Sequence, residues 1–143
     1  MQKQNKIYVF GPIYLFGENY LEVYKSVNKL CEKYFAKIIG TYPDFWDSKE
    51  SPRDFYTRTK ETIKDCDLFI AEVSNPSHGV GMELQMGIEQ NIPTIAIIKE
   101  GVDFSKSTMV LGMPTLHSII TYKDLSDLLK KLDVELLKFT KGN

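Results

Sequence analysis

Cysteine and histidine are scarce in this chain of 143 residues, which has two of each. The spacing of Cys31 and Cys66 fits neither a metal motif nor a redox pair, so we expect two buried free thiols in a reducing compartment. His78 and His117 lie on separate segments without the carboxylate spacing of a metal site. We interpret His117 as the start of a strand and His78 as a surface residue of a ligand loop. The sequence therefore predicts no metal and no other cofactor.

The chain also lacks a charge imbalance and a long apolar run. Its 18 Lys and Arg against 19 Asp and Glu give a net charge of −1, whereas a broad nucleic-acid-binding face is normally basic. No stretch is long or apolar enough to span a membrane, and the N-terminal MQKQNKIYVF lacks the apolar core and cleavage site of a signal peptide. We therefore predict a cytoplasmic protein with one domain over residues 1–143, which binds no nucleic-acid polymer and no membrane.

Short apolar runs alternate with amphipathic stretches, an order typical of βαβ units. The pattern predicts strands over residues 6–10, 37–40, 67–73, 94–98 and 118–122. It predicts helices over residues 19–34, 52–65, 80–90 and 123–139, with Ser51 and Pro52 as the N-cap and first position of the second helix. The expected fold is an α/β single domain, flavodoxin-like or Rossmann-like, whose doubly wound five-stranded parallel sheet is flanked by helices.

Ligands of such sheets bind beyond the carboxyl ends of the strands, near the switch in strand order. The loops after Phe10, Gly40 and Val73 are therefore the important ones. The second of these holds the aromatic residues of Tyr42-Pro43-Asp44-Phe45-Trp46, which could stack on a nucleobase or form a hydrophobic plug or subunit contact.

The loop after the strand over residues 67–73 combines flexibility with anion-binding groups. Gly79 and Gly81 allow close backbone approach to a ligand, and amides at the start of the following helix attract an anion such as phosphate. Glu83 is predicted in the first turn of that helix, where the macrodipole favours an acidic residue in any protein. Position alone therefore favours a structural role for Glu83, and GVGMEL lacks the third glycine of a dinucleotide fingerprint.

One segment carries a specific resemblance. PSHGVGMEL (residues 76–84), after the strand DLFIAE, resembles the signature of the nucleoside 2-deoxyribosyltransferase superfamily. It is most similar to the P-S-x-G-V-G-x-E-L of that superfamily's 2'-deoxynucleoside 5'-monophosphate N-glycosidases. The resemblance implies that Glu83 acts at the anomeric carbon as nucleophile or charge stabiliser.

Two further segments resemble the same family. IYVFGPI (residues 7–13) is similar to its opening strand and glycine turn, which implies that Tyr8 bonds the catalytic carboxylate and that Gly11 and Ile13 contact substrate. STMVLG (residues 107–112) is similar to a segment whose serine reaches the phosphate of a neighbouring subunit's substrate. This implies substrate contacts for Ser107 and Met109 and a homo-oligomer with shared sites. Without the resemblance, residues 107–112 would be an ordinary Ser-rich loop.

The chain departs from the family pattern at two places. Thr59 stands where the family usually has an Asp, and a threonine can hydrogen-bond substrate but cannot act as an acid near neutral pH. Asp54 or Glu61 could replace that acid, or both could be solvated helix residues. The turn over residues 11–17, GPIYLFG, replaces a glycine- and arginine-rich turn and is more like the transferase branch.

We therefore expect an N-glycosidase that hydrolyses a nucleoside or deoxynucleoside 5'-monophosphate to free base and sugar phosphate. Bond cleavage builds positive charge on the sugar ring, which Glu83 would stabilise or attack. Ser77, Ser107 and the helix amides would hold the phosphate. Two alternatives remain: a transferase that exchanges bases through a covalent Glu83-sugar intermediate, and a nucleotide-binding module without turnover. A receiver-type domain is disfavoured because no acidic cluster follows Phe10 or Val73.

Overall fold

A computed structural model of the chain describes residues 4–12, 20–40 and 49–142. Within these ranges the strands are β1 Gln4–Phe10, β2 Phe35–Gly40, β3 Leu68–Glu72, β4 Thr94–Lys99 and β5 Leu116–Tyr122. The helices are α1 Leu21–Cys31, α2 Pro52–Thr62, α3 His78–Glu89, α4 Thr108–Leu111 and α5 Leu125–Gly142. All strand pairs are parallel, in the order β2-β1-β3-β4-β5. The predicted doubly wound α/β fold is confirmed. No helix in the described part of the chain is both long and apolar enough to cross a bilayer.

The sheet is covered on both faces, so its core has two layers. Every residue of β3 is buried, as expected of a strand with helices on both sides. Side chains of β1 alternate between the layers: Ile7 and Val9 pack in the layer of α1 and α5. Tyr8 and Phe10 pack in the other layer, which includes residues of α3. Tyr8 therefore points toward the helix that carries Glu83.

The strand order reverses between β1 and β3. From β1 the chain moves outward to β2 and then returns across β1 to form β3. The connections that leave the carboxyl ends of β1 and β3 therefore go to opposite sides, and a crevice opens between them, where ligands of such folds bind. Gly11 and Val73, the first residues after these two strands, lie at this crevice.

All four predicted helices differ from the observed ones by up to three residues at an end, and two of these differences have a clear cause in hydrogen bonding. The predicted first helix extends to Tyr34, but α1 ends at Cys31 and a turn leads into β2. The Tyr34 hydroxyl instead donates to Asp133 at 2.7 Å, which ties this turn to α5. Both cysteines are free and buried, as expected.

The start of α3 also lies earlier than predicted. The Ser77 hydroxyl accepts the Val80 N–H at 3.3 Å and so acts as the N-cap, a role in which serine is strongly preferred. The helix therefore begins at His78, and Glu83 lies in its second turn. The prediction of a first-turn position for Glu83 was wrong. Since the macrodipole acts mainly within the first turn, it gives no structural reason for an acid at this position.

Candidate active site

Tyr8 and Glu83 meet at the carboxyl edge of the sheet. The Tyr8 hydroxyl donates to Glu83 Oε1 at 2.6 Å, although 75 residues separate the two in sequence. The Tyr8 ring is fully buried; it stacks on Phe10 at 4.8 Å and meets Phe69 edge-on at 5.6 Å. These ring contacts fix the phenol, so the hydrogen bond holds the carboxylate in one orientation.

A glycine on α3 allows this contact. A Cβ on Gly87 would lie 2.5 Å from the Phe69 ring. Any other residue at position 87 would therefore force either α3 or the Phe69 ring to move, and glycine lets α3 lie close to the sheet. Glu83 lies four residues before Gly87 and therefore on the same face of the helix. The close packing at Gly87 thus brings Glu83 within reach of the Tyr8 hydroxyl.

The environment of Glu83 disfavours its charge. Burial raises the pKa of Glu83 from 4.5 to about 7, although the hydrogen bond from Tyr8 lowers it. Desolvation disfavours the ionised form and a hydrogen bond to the carboxylate favours it, and here desolvation is the larger effect. Near neutral pH the site therefore holds a mixture of carboxylic acid and carboxylate.

Glu83 opens into a cleft of about 540 Å³, a volume in the range of small-molecule sites. The cleft is mainly apolar, and its described lining includes no Lys or Arg. The described residues that line it are Gly11, Pro12, Phe55, Tyr56, Thr59, Pro76, Ser77, His78, Gly79, Val80, Met82, Glu83 and Met86. Among these described residues, Glu83 is the only one with a carboxylate.

Thr59 faces the same cleft from α2. Its side chain is 3% exposed, and within the described part of the chain its Oγ1 has no hydrogen-bond partner. Buried polar atoms without a partner are rare in proteins, so a ligand hydroxyl or base atom would find an available group here. Asp54 and Glu61, the two candidate replacements for the missing acid, are exposed and do not line the cleft.

Of the residues expected to hold phosphate, Ser77 and Gly79 line the cleft. Ser77 caps α3 through its oxygen, and a hydroxyl in that role can still donate its proton to an anion. A Cβ added at Gly79 would meet only Ser77 Oγ, at 4.0 Å, and one added at Gly81 would meet nothing within 4 Å. The fold itself therefore does not require glycine at either position.

Ser107, Met109 and Gly81 line a different cleft, of about 350 Å³. Pro76, Ser77 and Val80 line both clefts, so the two adjoin at the start of α3. Ser107 precedes the short helix α4, which occupies part of the segment interpreted without the resemblance as a Ser-rich loop. Met109 is 86% exposed. The chain therefore does not bring Ser107 or Met109 to its own Glu83.

Of the remaining predicted site residues, Gly11 lies at the cleft and the others fall outside the described part of the chain. Gly11 lines the cleft, and a Cβ there would collide with the Tyr24 hydroxyl and lie 2.9 Å from Glu72 Cβ, so the packing requires glycine. Ile13 and the aromatic segment over residues 42–46 lie outside the described residues. Among the described residues, no group of three or more His, Cys, Asp or Glu could hold a metal ion.

Sequence reasoning missed the residues that make the cleft apolar. Phe55 lies four residues before Thr59 on α2, and Met82 and Met86 flank Glu83 on α3. The Arg58 guanidinium lies 5.5 Å from the Phe55 ring centroid. Helical spacing could have indicated them, because residues three or four apart share a helix face: Phe55 lies four residues before Thr59, and Met86 lies three after Glu83.

Comparison with known proteins identifies close relatives. The chain is 42% identical over 128 residues to a Syntrophotalea carbinolica protein provisionally named 2'-deoxynucleoside 5'-phosphate N-hydrolase 1, with 86% of this chain and 88% of the relative covered. A Thermofilum pendens protein of the same name is 32% identical, with 90% and 92% covered. One from Methanosarcina mazei is 29% identical, with 96% and 86% covered. No model of a known protein family matches the chain.

Solved structures share the fold. The Clostridium botulinum CMP N-glycosidase BcmB superposes with a TM-score of 0.65 at 19% identity, covering 90% of this chain and 98% of BcmB. A conserved protein from Enterococcus faecalis V583 superposes with a TM-score of 0.57 at 16% identity, covering 92% and 99%. At these identities the likeness concerns the fold alone.

Proposed function

Since the chain belongs to the family whose members are named 2'-deoxynucleoside 5'-phosphate N-hydrolase 1, we propose that it hydrolyses the N-glycosidic bond of a deoxynucleoside 5'-monophosphate. The products are the free base and the sugar phosphate. The observation that carries this proposal is the Glu83 carboxylate, oriented by the Tyr8 hydroxyl at 2.6 Å at the wall of an apolar cleft.

Glu83 acts on the anomeric carbon in this proposal. As the C–N bond breaks, its electron pair leaves with the base and the sugar ring becomes cationic. The ionised carboxylate stabilises this cation or bonds to it. Water then adds to the anomeric carbon and gives up one proton, and any bond to Glu83 breaks, which restores the carboxylate. The apolar cleft strengthens the attraction between carboxylate and cation, because its effective dielectric is lower than that of water.

Thr59 takes a supporting part. Its buried hydroxyl has no partner among the described residues and gains one when the sugar or base enters the cleft. It supplies no acidic proton, so the departing base takes its proton from water or from another group. This feature also favours a second candidate function, a nucleotide-binding module with little turnover.

The phosphate binds at the start of α3. The Ser77 hydroxyl and the first amides of the helix donate to it, and they do so without help from Lys or Arg in the described lining of the cleft. Ser107 lines the adjoining cleft and not the one that Glu83 lines. We therefore assign Ser107 to the site of a second copy, which makes the protein a homo-oligomer with shared sites.

Replacing Ser107 with alanine tests this assignment. The expected result is a KM for the monophosphate raised roughly tenfold, because a hydrogen bond to a charged group is lost, with no change for the nucleoside that lacks phosphate. Steady-state kinetics on both substrates measures this difference. Ser105→Ala is the matched control, since Ser105 is exposed in the same loop and bonds to Asp103. Equal effects on both substrates, or a monomer in sedimentation analysis, would contradict the shared site.

A substrate panel tests the proposed reaction. Purified protein is incubated with ribo- and deoxyribonucleoside 5'-monophosphates and with free nucleosides, and chromatography measures the released base. We expect release from deoxynucleoside monophosphates and no incorporation of a second base added in excess. Incorporation of that base would identify a transferase instead. Calorimetric binding of nucleotide without any release would identify the binding module.

A further inference from the structure

A second carboxylate lies in the core beneath the site and has no part in the proposed reaction. Glu72, the last residue of β3, is 1% exposed. Its Oε1 accepts the Ser74 N–H at 2.6 Å, and its Oε2 accepts the Tyr122 hydroxyl at 2.5 Å. Burial raises the pKa of Glu72, whereas its hydrogen bonds and the nearby Lys99 lower it. Glu72 lines neither cleft.

The bonds of Glu72 continue into the segment that joins β3 to α3. Ser74 Oγ accepts the backbone N–H of Lys99 at 2.8 Å, which ties the segment to the end of β4. Asn75 Nδ2 donates to the Tyr20 hydroxyl at 2.9 Å, and Lys99 Nζ lies 4.8 Å from the Tyr20 ring centroid. Each residue between the strand and Pro76 is therefore fixed by a buried or half-buried polar contact.

The turn after β1 is fixed by the same cluster. The Tyr24 hydroxyl donates to the Pro12 carbonyl at 3.0 Å. Gly11 leaves room for both Tyr24 and Glu72, since a Cβ there would collide with one and lie 2.9 Å from the other. Gly11 and Pro12 line the Glu83 cleft. Glu72 thus lies at the base of both chain segments that leave the sheet beside the cleft.

The energetics favour a role other than stability. A buried charged group is expensive to desolvate, and well-packed apolar side chains in its place are often as stable or more so. A hydrogen-bonded carboxylate does, however, impose one backbone geometry on the donors around it. The carboxylate of Glu72 holds the Ser74 amide directly, three residues before Ser77.

We propose that Glu72 and Tyr122 are positioning residues that set the β3–α3 segment, and through it Ser77 and Gly79, relative to Glu83. Where it concerns turnover, this inference rests on the proposed function. A reacting group displaced by about 1 Å can lose roughly 10²-fold in rate. The pair therefore contributes to catalysis although neither side chain reaches the cleft.

Tyr122→Phe tests the proposal, with Tyr34→Phe as the matched control. Both changes remove one hydroxyl from a buried tyrosine that donates to a carboxylate, but the Tyr34–Asp133 bond joins the α1–β2 turn to α5, away from the cleft. We expect Tyr122→Phe to lower kcat/KM roughly 10- to 100-fold and Tyr34→Phe to leave it unchanged. Both variants should lose a similar few degrees of Tm.

Two further measurements separate positioning from general loosening. Glu72→Gln and the double variant Glu72→Gln/Tyr122→Phe complete a double-mutant cycle. The double variant should lose no more activity than the more damaging of the two single variants, because both changes act on the same Glu72–Tyr122 contact. Amide hydrogen exchange over residues 73–80 should become faster in Tyr122→Phe and not in Tyr34→Phe.

The outcomes distinguish this inference from the proposed function. An unchanged kcat/KM in Tyr122→Phe, or unchanged exchange over residues 73–80, would overturn the positioning role. If the wild-type protein releases no base from any nucleotide, the proposed function is refuted but the positioning role is not. Hydrogen exchange still tests whether the β3–α3 segment depends on Tyr122, because it needs no turnover.

Discussion

Glu83→Gln lowers base release from a deoxynucleoside monophosphate by about 10³-fold or more, in the range that removal of a nucleophile or charge-stabilising group costs other enzymes. Glutamine keeps the size of the side chain, and its amide oxygen can still accept the Tyr8 hydroxyl, so the cleft stays intact. What is lost is the negative charge that meets the cationic sugar. Chromatographic measurement of released base, at substrate concentrations above and below KM, gives the loss in kcat and in kcat/KM.

Glu89→Gln is the control for this change. Glu89 lies on the same helix, is exposed and is the last residue of α3, so the same chemical change occurs without altering the cleft. We expect its activity to equal that of wild type. Base release that survives in Glu83→Gln would remove Glu83 from the reaction and leave the Tyr8–Glu83 bond as a structural contact.

The activity rises with pH through about 7. Burial raises the pKa of Glu83 to about 7, and only the ionised carboxylate can stabilise or attack the sugar cation. Below that pH, kcat/KM should therefore fall by about tenfold per pH unit, since kcat/KM reports the ionisation of the free enzyme. Tyr8→Phe removes a hydrogen bond that favours the carboxylate, so its profile should shift to higher pH. A flat profile between pH 5 and about 8, or a Tyr8→Phe shift to lower pH, would refute this assignment.

The same proton affects stability in the opposite direction. The folded protein holds the Glu83 proton more tightly than the unfolded chain does, with a pKa of about 7 against 4.5. The resulting stabilisation is complete below the lower value and is lost as the pH rises through the higher one. Above neutral pH, Glu83→Gln should therefore be more stable than wild type, by about 1–3 kcal/mol once partial exposure is discounted. Unfolding by urea at pH 5 and at pH 8 measures this difference.

The order of elements was predictable because it depends on local patterns. The buried run in β3 and the helical spacing of leucines in α5 were enough to predict a parallel sheet with covered faces. The ends of elements were less predictable. α1 ends early and α3 begins early because of a turn and a serine cap, and both depend on hydrogen bonds that the apolar pattern does not record.

The residue that carries the proposed chemistry could be predicted from a local motif. Contacts between residues far apart in sequence were harder to predict. The Tyr8–Glu83 contact followed from a resemblance, and the structure brings the two together. The role of Glu72 was not predicted. Its neighbours in the run DLFIAE are mostly apolar, so the run indicates only a buried strand, and its partner Tyr122 lies 50 residues away in sequence. Thr59 was noticed only as a departure from a pattern. Its hydroxyl lacks a partner among the residues that the structure describes, which depends on tertiary packing and not on local sequence.

The glycines in and near the site differ in what surrounds them, which has a practical consequence for redesign. Gly11 and Gly87 are held by the packing of Tyr24, Glu72 and Phe69, so a side chain there would disturb the core. Gly79 and Gly81 face open space, and alanine is the better helix former. An engineer who wishes to narrow the Glu83 cleft can therefore introduce a side chain at Gly79, the one of these two that lines it, while the scaffold remains as it is.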